Sequence, residues 1–490
     1  MRPTHAAVVV SLNSSIERNT VTVASDFVVV SNRLPVDRTD DENEPWRRSP
    51  GGLVTAVDPV MRSNNGAWVG WPGQADVELD PFEFDGLQLV PVMLTADDVQ
   101  LYYEGFSNDT IWPLYHDVIA TPTYHRTWWD AYVKVNTRFA EAASRHAAEG
   151  ATVWVHDYQL QLVPKLLREL RPDLTIGYFH HIPFPAYGLY AQLPWRRQVL
   201  EGLLGADVIG FQRVADAGNF ARAVRRQLGF DTKAGAISVP TPDGGVRTAV
   251  ARAYPISIDA AEYEELAKRA DVRARAEEIR SSLGNPKAIL LGVDRLDYTK
   301  GIRHRLKAYG ELLTDGRLSV HDVILVQVAS PSRERVQTYM ELRDEIELTV
   351  GRINGDADEL GYSAIQYLHN SYPREEMVAL FLAADVMLVT ALRDGMNLVA
   401  KEYVASRVDG GGALVLSEFT GAADELTQAI KVNPHDIAGL KDAIMQAIDM
   451  PQKEKDRRMR ALRRRVREND VAKWSERFLS DLNAARKEHP

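Results

Sequence analysis

Cysteine is absent from the sequence, which excludes disulfide bonds, thiolate nucleophiles and thiolate metal sites. Long apolar runs are absent too, because no stretch approaches the length that spans a lipid bilayer. The only signal-like segment, Ala6 to Leu12, is short and lacks a preceding basic run. We therefore expect a cytoplasmic protein with no membrane partner, in which residues 1–25 form a variable N-terminal lead-in.

An excess of positive charge is also missing. The 58 lysines and arginines are outnumbered by 68 aspartates and glutamates, and the net charge of −10 argues against nucleic acid as a partner. The fractions of apolar residues, 45%, and of charged residues, 26%, are typical of a soluble globular protein. Because 490 residues exceed the size of one ordinary core, we expect two large domains.

One stretch, VTALRDGMNLVAKEYVA from Val389 to Ala405, joins an apolar strand to a helix through a polar turn. Gly395 in that turn has no Cβ, so a ligand or another backbone segment can approach it closely. The unpaired N–H groups at the start of the helix suit an anion such as a diphosphate. Glu402, one turn into the helix, would then bind sugar hydroxyls.

A purely structural joint is the alternative interpretation of this stretch, since strand–turn–helix joints occur throughout α/β proteins. Chemical crowding favours a ligand site, because so many polar groups are costly to bury without a partner. The crowded side chains are Arg393, Asp394, Asn397, Lys401 and Glu402.

Other apolar strands also end in polar residues. The alternation of strands and helices predicts an α/β fold, and open α/β sheets bind ligands at the carboxyl ends of their strands. We therefore select Arg33 after residues 27–30, Asp157 after 151–155, His181 after 174–179, Arg295 and Lys300 after 288–293, and Arg333 after 322–329. Two cations such as Arg295 and Lys300 neutralise a diphosphate without a metal.

Two patterns suggest a metal but are better explained otherwise. His180 and His181 are adjacent on an extended chain and point opposite ways, and no matching set of ligands accompanies them. Asp356-Ala357-Asp358 resembles the metal-binding DxD of some sugar transferases, but it sits in a polar loop without a preceding apolar strand. We assign the DxD to the surface and predict no metal site.

Three further segments receive mainly structural interpretations. Gly51 and Gly52 precede a helical run, 53–61, and form a second candidate phosphate cradle, although turn geometry explains the pair equally well. Residues 262–283 are predicted to form one charged helix that leads into the second domain. The tail, 453–487, is predicted to be helical, with its arginine-rich part on a solvated face.

The motifs SNRLPV, GGLVTAV, WVGW, YYEGFSN, WVHDYQL, HHIPFP, DRLDYTKG and LRDGMNLVAKEYVA occur in this order. In content and order they resemble the trehalose-6-phosphate synthase family, and the resemblance runs from about Phe27 to the end. It implies two facing Rossmann-like domains of the GT-B type of glycosyltransferase, with the active site in the interdomain cleft. The implied limits are 26–256 for an acceptor domain, 257–468 for a nucleotide-sugar domain and 469–490 for a last helix that packs back on the first domain.

The resemblance also implies a role for individual side chains. Those with catalytic roles are Arg295, Lys300, His181 and Asp394. Those that bind the donor are Gly51, Gly52, His181, Arg295, Lys300, Asp394, Gly395, Met396, Asn397, Leu398, Val399 and Glu402. Those that bind the acceptor are Arg33, Trp68, Tyr103, Trp112, Asp157 and Arg333.

The implied reaction is transfer of glucose from a nucleoside-diphosphate glucose to glucose 6-phosphate, with retention at the anomeric carbon. UDP-glucose is the expected donor, with ADP-glucose and GDP-glucose left open. No cofactor and no metal are implied, the partners are these small molecules rather than nucleic acid, and we expect a homo-oligomer. Residues 37–52, charged and ending in a glycine pair, are a hypothetical lid that closes on the donor.

The main alternative is a catalytically silent sugar-phosphate sensor of the same fold, although the site residue types are all retained here. Another transferase, or a phosphorylase that uses pyridoxal phosphate, is a second alternative, but we identify no cofactor lysine. The DxDxT motif of the phosphatase domain found in some relatives is absent from the sequence.

Overall fold

A computed structural model describes residues 24–39, 44–49, 54, 57, 60–62, 66–357 and 362–488. The first half of the chain forms a ten-stranded sheet and a small hairpin sheet of β2 and β3. Its strands are β1 Ser25–Arg33, β2 Val36–Arg38, β3 Trp46–Arg48, β4 Ala67–Trp71, β5 Phe82–Phe84, β6 Leu87–Pro91, β7 Ala147–His156, β8 Thr175–Phe179, β9 Val208–Phe211, β10 Thr232–Lys233, β11 Ala236–Pro240 and β12 Val246–Ala253.

The second half forms a six-stranded sheet in which every strand pair is parallel. Its four central strands are rich in Val, Ile and Leu and are buried on both faces, as parallel strands covered by helices require, whereas Gln366 and Lys431 on the two edge strands are exposed. They are β13 Ala288–Arg295, β14 Val323–Ser330, β15 Ile365–Leu368, β16 Val386–Val389, β17 Ala413–Ser417 and β18 Ile430–Val432.

Both sheets share one strand order. The parallel core of the first runs β6-β4-β1-β7-β8-β9, and the second runs β15-β14-β13-β16-β17-β18. Each is the doubly wound order in which the third, second and first strands are followed by the fourth, fifth and sixth. The order reverses between β1 and β7 and between β13 and β16, so crevices open at the carboxyl ends of those strands. The predicted α/β fold with two Rossmann-like units is confirmed.

Helices cover both sheets. In the first half they are Ala96–Asp98, the π-helical Val99–Ile111, Trp112–Tyr115, Arg126–His146, the 3₁₀ turn Tyr158–Leu160, Val163–Leu170, Tyr187–Tyr190, Arg196–Leu203 and Val214–Leu228. In the second half they are Ala260–Lys268, Ala270–Ser282, the 3₁₀ turn Tyr298–Lys300, Ile302–Thr314, Gln337–Asp356, Arg374–Ala383, Leu398–Ser406, Ala422–Glu425, Ile437–Asp449, Gln452–Glu468 and Val471–Glu488.

Two predictions of local structure were wrong in detail. The single helix predicted over 262–283 is two helices, because Arg269 adopts an extended backbone with φ −60° and ψ 135° between them. The loop predicted around Asp356 is instead the end of the helix Gln337–Asp356, which continues through two glycines, and Asp358 lies outside the described residues. The arginine-rich tail is helical, as predicted, in two helices separated by Asn469 and Asp470.

The last helix, Val471–Glu488, lies on the first sheet although its sequence follows the second. The rings of Phe478 and Trp154 stack with centroids 4.6 Å apart. Gly177 and Gly210 make room for this contact, since a Cβ on either would lie 2.8 or 2.9 Å from the Phe478 ring. The chain therefore crosses between the halves twice, after Tyr254 and again before Val471, whose N–H donates to Ile258 O at 3.1 Å.

The predicted limits at residues 256 and 468 lie close to these two crossings. Residue 256 is in the connection that follows β12, and residue 468 ends the helix Gln452–Glu468. As limits of separate domains they stay predictions.

Candidate active site

A cleft of about 580 Å³ separates the two sheets where their strand ends face each other. The first half contributes residues that follow β7, β8 and β9, and the second half contributes residues at the ends of β13 and β16. The lining includes ten of the predicted site residues: Asp157, His181, Arg295, Lys300, Asp394, Met396, Asn397, Leu398, Val399 and Glu402.

Lys300 and Asp394 form the central ion pair of the second wall. Lys300 Nζ donates to Asp394 Oδ2 at 2.6 Å, and Asn397 Nδ2 donates to the same oxygen at 3.1 Å. Burial alone would raise the pKa of Asp394, but the charge and hydrogen bond of Lys300, with the bond from Asn397, lower it below its usual value. Asp394 is thus an ionised group whose lone pairs are partly occupied.

The helix Leu398–Ser406 begins at the cleft. Its cap, Asn397, has φ +75° and accepts a hydrogen bond from Ala400 N at 3.1 Å. Leu398 and Val399 line the cleft at the start of the helix, where backbone N–H groups and the helix dipole favour an anion.

Gly395 lies where the two halves touch. A Cβ at this position would be 2.3 Å from His181 O, a distance that no real Cβ tolerates. The close approach predicted from the missing Cβ is confirmed, and the approaching segment is the backbone of the opposite wall.

Glu402 faces Tyr263, a residue that the sequence interpretation did not select. Burial raises the pKa of Glu402, and a hydrogen bond from the Tyr263 hydroxyl and the charge of Arg374 oppose the shift. Tyr372 and Met377 complete this end of the cleft. Met377 lies inside a helix and gave no strand-end signal, whereas Tyr372 is in the loop that follows β15 and could have been selected by that pattern.

Arg295 and Arg333 flank one indole ring across the cleft. The guanidinium carbon of Arg333 lies 3.9 Å from the centroid of the Trp112 ring, and that of Arg295 lies 5.5 Å from it. Arg333 also donates to Tyr158 Oη at 3.1 Å and to Asp297 Oδ2 at 3.2 Å. In the described part of the chain Arg295 has no hydrogen bond or ion pair, so its donors are available to a ligand.

Asp157 is held in a strained conformation. Its φ of +77° and ψ of 169° fall in a region that glycine occupies almost exclusively, at a cost of about 1–3 kcal/mol. Its carboxylate accepts from Tyr158 N at 2.9 Å and from His181 N at 3.3 Å. Burial raises the pKa of Asp157 to about 6, although these bonds and the charges of Arg295 and Arg333 oppose the rise.

His181 belongs to a pair of uncharged imidazoles. His156 Nδ1 and His181 Nε2 lie 3.1 Å apart, so one donates to the other. Burial lowers the pKa of His181 to about 3 and that of His156 well below its usual value. His181 therefore meets a ligand as a neutral hydrogen-bonding group.

The remaining acceptor residues are placed unevenly. Arg33 lies outside the cleft lining, where it pairs with Asp37 at 3.1 Å and covers the Trp71 ring at 5.2 Å. Tyr103 packs against the same Trp71 ring, with ring centroids 6.0 Å apart. Arg33 and Tyr103 therefore meet at Trp71.

Trp68 is where the structure departs from the expected pocket lining. Its side chain is fully buried in the core, and its Nε1 donates to Ser31 Oγ at 2.8 Å. Because Trp68 stands in the middle of β4, its side chain fills the sheet interior rather than the cleft. Gly51 and Gly52 lie outside the described residues, as do 40–43 of the hypothetical lid.

Arg393 joins the two halves beside Asp394. Its Nε lies 3.2 Å from Asp117 Oδ2, and its Nη2 lies 3.4 Å from Asp216 Oδ1. Burial raises the pKa of Asp216 to about 6, against the charges of Arg393 and Arg213. Both carboxylates belong to the first half, so the loop that carries Asp394 is tied to the opposite wall.

Among the described residues, no helix combines the length and the apolar character needed to cross a membrane. The same residues contain no group of three or more acidic or imidazole side chains positioned to hold a metal ion.

The chain is similar to a protein family, to proteins of known activity and to solved structures. Residues 25–484 match the model of glycosyltransferase family 20. The chain is 60% identical over 464 residues to a trehalose-6-phosphate synthase of Mycobacterium sp. (strain KMS), covering 94% of this chain and 95% of that protein.

Two solved structures are similar over nearly their whole length. One is a UDP-forming α,α-trehalose-phosphate synthase from Burkholderia xenovorans in complex with glucose 6-phosphate, with a TM-score of 0.84, 36% identity, and coverage of 93% of this chain and 100% of that one. The other is an E. coli protein bound with UDP-2-fluoro glucose, with a TM-score of 0.85, 33% identity, and coverage of 93% and 98%.

Proposed function

Because the chain belongs to glycosyltransferase family 20, we propose that it transfers glucose from UDP-glucose to glucose 6-phosphate with retention, releasing UDP and α,α-trehalose 6-phosphate. The observation that carries this proposal is the cleft, where Arg295, Lys300 and the start of Leu398–Ser406 share one wall. That wall suits a diphosphate, and the wall opposite, where Asp157 and His181 offer hydrogen-bonding groups, suits a sugar. One of the two similar structures contains glucose 6-phosphate and the other contains UDP-2-fluoro glucose.

The second wall would stabilise the leaving group. As the bond from the anomeric carbon to the diphosphate breaks, negative charge grows on the diphosphate and positive charge grows on the sugar. Arg295, Lys300 and the amides of Leu398 and Val399 would then interact more strongly with the transition state than with the bound donor. Fixed cations of this kind supply the stabilisation that a metal ion gives in other transferases, so we propose a metal-independent reaction.

Asp394 is better suited to hold the donor sugar than to attack it. Lys300 and Asn397 occupy its Oδ2, and Met396 N lies 3.4 Å from its Oδ1. A carboxylate with a lowered pKa and engaged oxygens is a weak nucleophile. We therefore propose that Asp394 and His181 bind hydroxyls of the transferred glucose, and that Glu402 binds the ribose.

The acceptor would approach from the same face as the leaving group. In this front-face route the acceptor hydroxyl forms its bond to the anomeric carbon as the bond to the diphosphate breaks. The electron pair of the broken bond stays on the diphosphate, and its oxygen takes the proton of the attacking hydroxyl. The configuration is thereby retained without the pair of carboxylates that a retaining glycosidase needs.

Glucose 6-phosphate would lie against the first wall. Asp157 would present its carboxylate to sugar hydroxyls, and Trp112, whose ring is covered by Arg333, would hold that arginine in place rather than stack on the sugar. Arg33, Tyr103 and Arg333 are the proposed partners of the phosphate. Since Arg333 already contacts Asp297 and Tyr158, phosphate binding would share its donors rather than meet a free guanidinium.

The test is an assay of purified protein with glucose 6-phosphate and each of UDP-, ADP- and GDP-glucose, with chelator present. We expect release of nucleoside diphosphate together with a non-reducing disaccharide phosphate, fastest with UDP-glucose. Turnover that disappears with chelator and returns with a metal would refute metal independence. Binding of donors without any turnover would replace the transferase with a sensor.

A further inference from the structure

Four arginines lie on one face of the helix Gln452–Glu468, far along the chain from the residues proposed for catalysis. Arg460, Arg463, Arg464 and Arg467 occur at helical positions i, i+3, i+4 and i+7 and line a concave space of about 340 Å³ with Glu468. We call this space the arginine cavity. Arg460, Arg464 and Arg467 are exposed, as predicted for a solvated face, and Arg463 is half-buried.

The arginine cavity holds more positive than negative charge. Glu468 lies in the lining, and Glu264 lies 3.2 Å from Arg463 and 2.6 Å from Arg467. Arg464 and Glu468 also line a neighbouring cavity with Asp424 and Glu425. Four cations against two carboxylates leave an excess of two positive charges, although the chain as a whole carries −10. Like charges at i and i+4 destabilise a helix, so a bound anion would relieve a local repulsion.

Donor groups in the cavity are incompletely used. Arg460 Nε donates a hydrogen bond to Asp456 O at 3.1 Å, whereas the Arg464 side chain has no hydrogen bond or ion pair with any described residue. The Nε of Arg463 is buried and lacks a partner within the described chain. One guanidinium group can donate two parallel hydrogen bonds to a phosphate, so these free donors fit a phosphate.

The arginine cavity is connected to the cleft through one helix. Ala260–Lys268 carries Glu264, which faces the arginines, and Tyr263, which lines the cleft beside Glu402. An anion that competes with Glu264 for Arg463 and Arg467 would loosen this helix on the arginine side. The donor pocket would then lose part of the support for Tyr263.

We propose that the arginine cavity binds a small soluble phosphate-bearing anion and that its occupancy weakens nucleotide binding in the cleft. Linkage requires the converse as well, so that bound nucleotide weakens phosphate binding by the same factor. Only the coupling to the cleft rests on the proposed function.

The binding test uses the double variant R460Q/R464Q and a matched control, R352Q. Arg352 is an exposed arginine on the helix Gln337–Asp356 without an ion pair to the described residues. With UDP present to occupy the cleft, calorimetric titration of inorganic phosphate at constant ionic strength should give a saturable site in the unsubstituted protein and in R352Q. We expect at least tenfold weaker binding in R460Q/R464Q.

Identical titrations in all three proteins, or no saturable binding in any, would overturn the site. A parallel sedimentation with phosphatidylglycerol vesicles separates a soluble ligand from a lipid headgroup. Retention on vesicles without binding of free phosphate would overturn the soluble-anion assignment.

The coupling test measures the affinity for UDP with and without saturating phosphate. We expect phosphate to weaken UDP binding at least threefold in the unsubstituted protein and in R352Q, and to leave R460Q/R464Q unchanged. An equal effect on all three would show direct competition in the cleft, and no effect on any would show no coupling. Failure of the proposed function is recognised separately, as absent glucose transfer in phosphate-free buffer.

Discussion

The two walls of the cleft differ in the charged groups that they present to a ligand. On the second wall, the cations Arg295 and Lys300 stand beside Asp394, whose pKa lies below its usual value. On the first wall, burial keeps His181 neutral and raises the pKa of Asp157 to about 6. Since the two walls are strand ends of two sheets with the same doubly wound order, the fold does not set this difference; the residues placed at the strand ends do.

The contrast matches two binding problems. A diphosphate leaving group develops charge during the reaction and needs fixed opposite charges. A sugar acceptor is uncharged around its ring, so hydrogen bonds and aromatic faces recognise it. Four substitutions separate these roles, and their expected effects decrease in the order given.

The largest effect should come from the cationic wall. Arg295→Gln removes two or more donors from the departing diphosphate, and we expect kcat to fall about 10²–10³-fold. Because Arg295 forms no ion pair among the described residues, the thermal unfolding temperature should stay unchanged. Arg303→Gln is the control, as Arg303 is exposed and pairs with Glu345 at 2.9 Å. Equal losses in both variants would remove the leaving-group role from Arg295.

The second-largest effect should be a change in the pH dependence of kcat/KM, caused by Asp157 on the first wall. With its pKa raised to about 6, Asp157 is ionised at neutral pH and becomes protonated as the pH falls through 6. If the carboxylate binds the acceptor, kcat/KM for glucose 6-phosphate falls on the acidic side, and Asp157→Asn lowers its neutral value about 10²-fold and flattens that limb. The substrate phosphate also titrates near pH 6, so only the change between the two proteins is informative. An unchanged acidic limb would refute this role for Asp157.

Glu402→Gln should affect donor binding more than turnover. Loss of the anionic acceptor for ribose hydroxyls is worth about 1.4 kcal/mol, which corresponds to about a tenfold higher KM for UDP-glucose. The KM for glucose 6-phosphate should not change. A tenfold fall in kcat at constant donor KM would assign Glu402 to the transition state instead.

The smallest effect should come from an exposed contact between the halves. Arg213 donates to both carboxylate oxygens of Asp424 at 2.8 Å, but Asp424 is half exposed. Surface pairs contribute about 0–1 kcal/mol, so Arg213→Gln should change kcat/KM less than about threefold. A larger loss would mean that closure of the halves depends on this pair, as we expect for the more buried Arg393.

Much of the second wall could be predicted from the sequence, because its residues are adjacent to their strands. Arg295 ends β13, and Asp394 to Val399 follow β16 along the chain. A strand-end pattern therefore identifies them, and the doubly wound order brings both groups to the same crevice.

The rest depends on distant contacts that no local pattern encodes. Tyr263 reaches Glu402 only because the chain crosses between the halves before Ala260–Lys268. Tryptophan is a residue type that often stacks on sugar rings, but Trp68 is buried by its position in β4. Asp216 meets Arg393 from 177 positions away, and charged residues at that separation give no sign of their pairing.

The position of the last helix determines when the first half can finish folding during translation. Trp154 and Phe179 belong to strands made early in synthesis, yet Trp474, Phe478 and Leu482 cover that face of the sheet. A ribosome must therefore translate nearly the whole chain before the first half can cover this apolar face. During that interval the nascent sheet exposes large aromatic rings, a condition that favours aggregation or chaperone binding. The half of the chain that is synthesised first is therefore the half that completes its folding last.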